Sequence, residues 1–402
     1  MNGLLLPSRR LLLGSATAMA ASWVHLPQPS AQARVATIVA TRTKIPTIFR
    51  PGRRSMSRTY HYARATVGDL QVVFANWYGS PGKEKGSGAK ARIKAAIEYP
   101  EGVFTPLGFS GGPVGTIADG AMLTSDSARV AIPKDAKFFV RTLFDHPDTI
   151  LYAGRQDKAN GDAWSSGDSN LPDATMGGVI SGNDPHAAFF PAAIIANTAA
   201  RSVFILGDSR AREEGDRVDD GAGDQGNIAR SIGPALGYTC AALPGETFKS
   251  FLAANKQRRL LAGYATHVVS DLGINDLTGG ATLSKMKSSM SDIVTLFPGK
   301  PVFWTTAEPV TKSNDRWATV AGQTPHASNS QRIAWNNYLR SKPRELAGVF
   351  DLADAAESAR DSGRFKALDQ GYPVMTEDGT HLTMAGYLLE KQSGAIDVRL
   401  IR

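Results

Sequence analysis

Ser209 follows a short apolar run, Ser202-Val203-Phe204-Ile205-Leu206, by way of Gly207-Asp208. A serine hydroxyl becomes a nucleophile when a base takes its proton and donors receive the oxyanion it creates. The chain supplies a candidate for each task. His381 stands in Asp378-Gly379-Thr380-His381, where an imidazole can take the Ser209 proton and return it to a leaving group. Asp378, on the same tight loop, can hold the other ring nitrogen and stabilise the imidazolium. Gly245, in Leu243-Pro244-Gly245-Glu246-Thr247, has no side chain, so its N–H can approach a ligand closely. Asn275, in Gly273-Ile274-Asn275-Asp276, offers an amide. The N–H groups of Ser209 and Gly245 and the Asn275 amide can together make an oxyanion hole.

These blocks need a scaffold that brings them to one edge. Val203 to Leu206 is unbroken apolar sequence, the pattern of a parallel strand buried on both faces. Further buried strands are expected at 238–243, 267–272, 302–306 and 349–352. Helices are expected between them, at 227–236, 247–263, 283–297 and 328–340, with a last one at 383–392. That alternation predicts an α/β fold, a doubly wound three-layer sandwich around a parallel sheet, with ligands at the strands' carboxyl ends. Upstream, short runs at 70–78, 93–99, 104–109, 115–123, 129–132 and 137–144 are bounded by Gly, Pro, Asp or Ser. They predict an antiparallel β-sandwich. Residues 34–59 are basic and poor in periodicity, and read as a linker or arm. Residues 145–184, rich in Gly, Asp, Ser and Asn, read as a long loop. The expected division is a β-rich domain at 60–195 and a hydrolase domain at 196–402.

Composition narrows the classes. With 42% hydrophobic and 20% charged residues, the chain has the make-up of a soluble globular protein. The net charge of +8 comes from dispersed residues. No Lys/Arg stripe is interleaved with aromatics, so nucleic acid is not an expected partner. Ser8-Arg9-Arg10-Leu11-Leu12-Leu13 is a twin-arginine pattern, and Ala31-Gln32-Ala33 fits a small-x-small cleavage site. Residues 1–33 are therefore expected to be a signal peptide for export to the periplasm or beyond. The stretch at 11–24 is too short and too rich in Ala, Ser and Gly for stable membrane insertion. The single cysteine, Cys240, can form no internal disulfide. There is no Cys/His cluster for zinc and no glycine-rich phosphate loop. Asp216, Asp219, Asp220 and Asp224 lack the ligand spacing of an EF-hand and read as a solvated loop. No metal or cofactor is expected.

The four blocks, in this order, resemble those of the SGNH (GDSL-type) hydrolase superfamily. The resemblance covers the second half of the chain. It implies Ser209 as nucleophile, Gly245 and Asn275 as oxyanion donors, and His381 as base with Asp378 beside it. It implies a serine esterase working through an acyl-enzyme without a cofactor. The family includes lipases, thioesterases and carbohydrate acetyl esterases, so it does not choose the substrate. The β-rich half tilts the expectation towards acylated carbohydrate. The competing readings are a lipase or thioesterase and a non-catalytic exported polysaccharide-binding protein. One departure stands out: in Arg210-Ala211-Arg212-Glu213-Glu214-Gly215-Asp216, Glu213 occupies a place where glycine is frequent. That leaves the shape and charge of the pocket floor open. Arg210 and Arg212 read as surface ion-pair partners of the neighbouring glutamates. Asp208 and Asp276 read as carboxylates that hold nearby backbone. His186, in Asn183-Asp184-Pro185-His186, lies in the segment before the hydrolase half.

Overall fold

The computed structural model describes residues 1, 35–182, 184, 187–217, 223–368 and 373–402. The expected signal peptide, but for Met1, lies outside the described residues, as do His186, Asp219 and Asp220.

Five strands of the second half run parallel: Ser202–Leu206, Gly237–Cys240, His267–Ser270, Val302–Thr305 and Gly348–Phe350. The second lies on one side of the first, and the other three follow on the other side. The chain therefore doubles back around Ser202–Leu206, and a crevice opens at the carboxyl end of such a reversal. Ser202–Leu206 is buried throughout because its side chains serve two cores. Val203 and Ile205 pack with Ile228, Ile232 and Leu352, whereas Phe204 and Leu206 pack with Phe251, Leu261 and Ile293. The flanking helices start where threonines cap them: Thr247, Thr282 and Thr383 each accept a hydrogen bond from a backbone N–H of the first turn. The single helix expected at 247–263 is two, Phe248–Ala253 and Lys256–Ala262. The Asn255 side chain bonds the carbonyls of Phe251 and Leu252 and ends the first helix there. Among the described residues no helix is long and apolar enough to cross a membrane.

The first half is β-rich. One antiparallel sheet runs Val35–Ile38, Ala193–Thr198, Val67–Ala75 and Met122–Thr124, with Ala128–Ile132 also on Val67–Ala75. The other runs Gly115–Ile117, Ala91–Glu98, Lys137–Asp145, Arg54–Tyr62 and Ala163–Gly167, with Phe104–Pro106 on Ala91–Glu98. Val72, Phe74 and Ile194 of the first meet Ile93, Val140 and Phe144 of the second in one apolar cluster. The alternate residues of the first sheet, Val73, Ala75 and Ile195, join Phe204, Leu206 and Leu243 in another. One core thus crosses the boundary expected at 195/196.

Two sequence readings are corrected. The stretch at 34–59 is not a linker or arm. Val35–Ile38 pairs with Ala193–Thr198, Thr43–Lys44 extends the parallel sheet beside Gly237–Cys240, and Ile48–Pro51 pairs with Thr149–Tyr152. Nor is 145–184 an unstructured loop, since it contains Thr149–Tyr152 and Ala163–Gly167. Both stretches hide their burial because polar groups satisfy one another inside. Arg42, wholly buried, donates to Asp162 at 2.7 and 3.2 Å, and the Tyr60 hydroxyl donates to Asp157 at 2.6 Å. Buried charges of this kind leave no apolar periodicity to read.

Candidate active site

The turn after Ser202–Leu206 is pinned by a carboxylate at the end of the neighbouring strand. Asp271 accepts the N–H of Asp208 and that of Ala211, each at 3.0 Å. Asp208 in turn accepts the N–H of Arg210 at 3.0 Å. Ser209, only 7% exposed, lies 2.8 Å through its Oγ from His381 Nε2. His381 Nδ1 is 2.6 Å from Asp378 Oδ2. An ionised Asp378 can only accept, so Nδ1 carries the proton and Nε2 accepts from the Ser209 hydroxyl. Burial pushes the Asp378 carboxyl up. Hydrogen bonds from the His381 ring and from the N–H groups of His381 and Thr380 more than offset this and hold it well below the usual carboxylate range. Gly379 makes the loop possible. Its φ is 79°, and a Cβ there would lie 1.9 Å from the Thr311 carbonyl oxygen, so glycine alone fits.

Asn275 is joined to the residue after Gly245, because its side-chain amide donates to the carbonyl of Glu246 at 3.0 Å. The amide nitrogen carries a second N–H. The Gly245 block is joined to the serine block where Leu243 N–H donates to Gly207 O at 2.9 Å. Gly245 has φ 75°, and a Cβ there would meet nothing closer than Pro81 Cγ at 4.0 Å, so this side of the turn is open. Among the described residues, the N–H groups of Ser209 and Gly245 donate to no protein acceptor. The structure thus puts Ser209, His381 and Asp378 in direct contact, ties the Gly245 block to the serine block through backbone, and ties Asn275 to the Gly245 block through its side-chain amide.

Arg210 and Arg212 are not surface ion-pair residues. Arg210, 1% exposed, donates to the Thr380 carbonyl at 2.9 Å, to Glu308 Oε2 at 2.9 Å and to the Pro309 carbonyl at 2.8 Å. It therefore struts the serine loop against the histidine loop. Asn227 bridges Asp271 and Glu308 beneath it, at 3.0 and 3.3 Å. Burial and the Glu308 charge push the Asp271 carboxyl up to about 6. Burial, with Asp271 close by, also raises Asp208. Asp271 has a sequence signal, an acid directly after the strand His267–Ser270 and before Leu272; Glu308 and Asn227 have none. Asp276 accepts the Phe248 N–H at 3.0 Å. The described acids of the 216–224 segment have partners: Asp216 pairs with Arg230 at 2.6 Å, and Asp224 accepts the Tyr238 hydroxyl at 2.7 Å. Among the described residues no His/Cys/Asp/Glu group is arranged to hold a metal ion.

Arg212 reaches the first half of the chain, donating to the carbonyls of Ile45 at 3.1 Å and Ala153 at 2.8 Å. Glu213, where the sequence departs from glycine, has φ 74°. That left-handed conformation costs a non-glycine residue about 1–2 kcal/mol. Its carboxylate is ion-paired with Lys44 of the edge strand. Burial lowers the Lys44 pKa, and Glu213 opposes that drop. The carboxylate that the departure introduces is therefore neutralised by an ammonium from the first half. A cleft of about 390 Å³ opens there, lined by Thr47, Ile48, Ser80 and Arg155 from the first half and by Glu213 and Glu214 from the second.

Several solved structures resemble this chain. A putative lipolytic protein of the G-D-S-L family from Desulfitobacterium hafniense is 13% identical, covering 50% of this chain and 98% of its own, with a TM-score of 0.37. A carbohydrate acetylesterase from Sinorhizobium meliloti is 16% identical, covering 50% of this chain and 100% of its own, with a TM-score of 0.34. A salicylyl-acyltransferase from a tetracycline biosynthetic pathway is 12% identical, covering 87% of this chain and 84% of its own, with a TM-score of 0.35. No family model and no curated protein matches the chain.

Proposed function

We propose that this chain is a serine esterase of the SGNH (GDSL) type, which hydrolyses carboxylic esters through an acyl-enzyme. The observation that carries this is the line of contacts from Ser209 Oγ to His381 Nε2, 2.8 Å, and from His381 Nδ1 to Asp378, 2.6 Å. Ser209 Oγ attacks the ester carbonyl carbon while its proton passes to His381 Nε2. Asp378, a strong acceptor, stabilises the imidazolium formed. The carbonyl oxygen becomes an oxyanion, received by the N–H groups of Ser209 and Gly245 and the free amide N–H of Asn275. Collapse breaks the bond to the leaving oxygen, which takes the proton from His381, and the acyl group stays on Ser209. A water then gives its proton to His381, attacks the acyl carbon and releases the acid, and the proton returns to Ser209. The cycle balances with water as the only co-reactant and calls for no cofactor.

The order of the five parallel strands supports a doubly wound, flavodoxin-like three-layer sandwich for the second half. Thr47, Ser80 and Arg155 in the cleft wall can hydrogen-bond hydroxyl groups, which supports a hydroxyl-bearing leaving group, and acylated carbohydrate is the substrate class we favour. The twin-arginine pattern at 8–13 supports export. Hydrolysis of p-nitrophenyl acetate by the wild-type chain, lost in Ser209→Ala, tests the esterase reading. Hydrolysis that persists in Ser209→Ala refutes it.

A further inference from the structure

The edge strand Thr43–Lys44 comes from the first half of the chain and ends against the nucleophile loop. That loop is a set of tight turns. Glu213 N–H donates to Arg210 O at 3.2 Å, Glu214 N–H to the carbonyl of Ser209 itself at 2.9 Å, and Asp216 N–H to Glu213 O at 3.1 Å. The conformation of Glu213 therefore fixes where the Ser209 backbone sits. It also fixes Gly215, where a Cβ would lie 2.4 Å from the Leu382 carbonyl and 3.3 Å from His381 Cβ. One turn thus touches both partners of the proton transfer.

Glu213 adopts φ 74°, a conformation glycine takes freely and glutamate does not. Its side chain does what glycine cannot: it pairs with the Lys44 ammonium, and the two side chains are 11% and 4% exposed. We propose that Lys44 is a positioning residue for Ser209, its buried ion pair with Glu213 holding the nucleophile loop in the left-handed turn that aims the hydroxyl at His381. On this account, part of the apparatus that glycine supplies through backbone freedom is supplied here by a charge from the first half. The inference rests on the esterase reading, since it names what holds that reading's nucleophile.

The test is a rescue in the full chain, with p-nitrophenyl acetate as the probe because it is too small to fill the cleft. Lys44→Met removes the charge and strands Glu213. kcat is expected to fall about tenfold or more, with KM within about twofold, because orientation and not binding is lost. Lys44→Met combined with Glu213→Gly is expected to recover to within about threefold of wild type, because glycine holds the turn without a partner. A kcat unchanged in Lys44→Met overturns the inference. So does a loss that Glu213→Gly fails to rescue, for then Lys44 serves only the fold. If Lys44→Met alone does not fold, two variants decide instead. In the Glu213→Gly background, removing Lys44 should be silent, and Glu213→Gln should lower kcat with KM retained; the opposite results overturn the inference. A wild-type chain without Ser209-dependent turnover is a different failure, that of the esterase reading itself.

Discussion

Gly379→Ala tests whether the Asp378–His381 loop aims the base, and its cost can be worked from distances. The added Cβ would stand 1.9 Å from the Thr311 carbonyl oxygen and 2.8 Å from Trp317 Cζ2. A carbon needs about 3.3 Å from a carbonyl oxygen, so the loop must retreat by roughly 1.4 Å. The His381 Nε2 to Ser209 Oγ distance is 2.8 Å now, and such a retreat takes it past hydrogen-bond reach, about 3.2 Å. Misplacement on the order of 1 Å costs roughly a hundredfold in rate. kcat on p-nitrophenyl acetate is therefore expected to fall by at least that factor, in a protein whose circular dichroism shows it folded. Gly299→Ala, outside the site, is the control for backbone strain without a clash. Its φ is 73° and a Cβ there would meet nothing within 4 Å, so it loses only about 1–2 kcal/mol of stability through strain. A folded Gly379→Ala enzyme with wild-type kcat would falsify the claim that this loop positions the base.

Asn275→Ala is expected to lower kcat by about a hundredfold or more with little change in KM, because an oxyanion donor acts on charge that develops in the transition state. A rise in KM alone would make Asn275 a substrate-binding group instead. His381→Ala and Ser209→Ala should each cost several orders of magnitude, and their double variant little more, since the two act as one unit. Asp378→Asn should lose no more than His381→Ala, and steady-state kinetics of the set decides. Asp224 yields a stability prediction. Burial pushes its carboxyl up to about 6, so the native state binds its proton more tightly than the unfolded chain does. Stability contributed by that proton is present at low pH and is lost as pH rises from the unfolded value through about 6. Asp224→Asn removes an ionisation penalty of about 3 kcal/mol and leaves an amide N–H unpaired at a cost of about 2 kcal/mol. Thermal unfolding should show a small gain above about pH 7 and a loss below about pH 4; a gain of equal size at both pH values contradicts the assignment.

The contacts of the candidate site were legible because its residue types stand at strand ends. Ser209 follows a strand whose limits, Ser202–Leu206, match the apolar run residue for residue. His381 and Asp378 lie three residues apart and meet at 2.6 Å. What supports the site was not legible. Glu308, Asn227 and Arg210 are polar residues whose burial depends on partners remote in sequence, and no local pattern marks them. The same holds for 34–59, whose basic texture suggested solvent. Arg42 pairs with Asp162 and Lys44 with Glu213 inside the fold, so charge that reads as exposed is satisfied internally. The Ala193–Thr198 strand, buried over four of its six residues, lies between the loop read at 145–184 and the strand at 202–206 and was not among the expected strands. Its partner Val67–Ala75 was recognised by its Val and Phe content.

The most direct measurement is covalent capture of the nucleophile. An alkyl fluorophosphonate is attacked by an activated serine, which expels fluoride and leaves a phosphonyl ester of one added mass. Peptide mass spectrometry of the labelled wild-type chain should place that mass on Ser209, with the rate of labelling falling several orders of magnitude in His381→Ala. A label on another serine, or equal labelling rates with and without His381, would contradict the account.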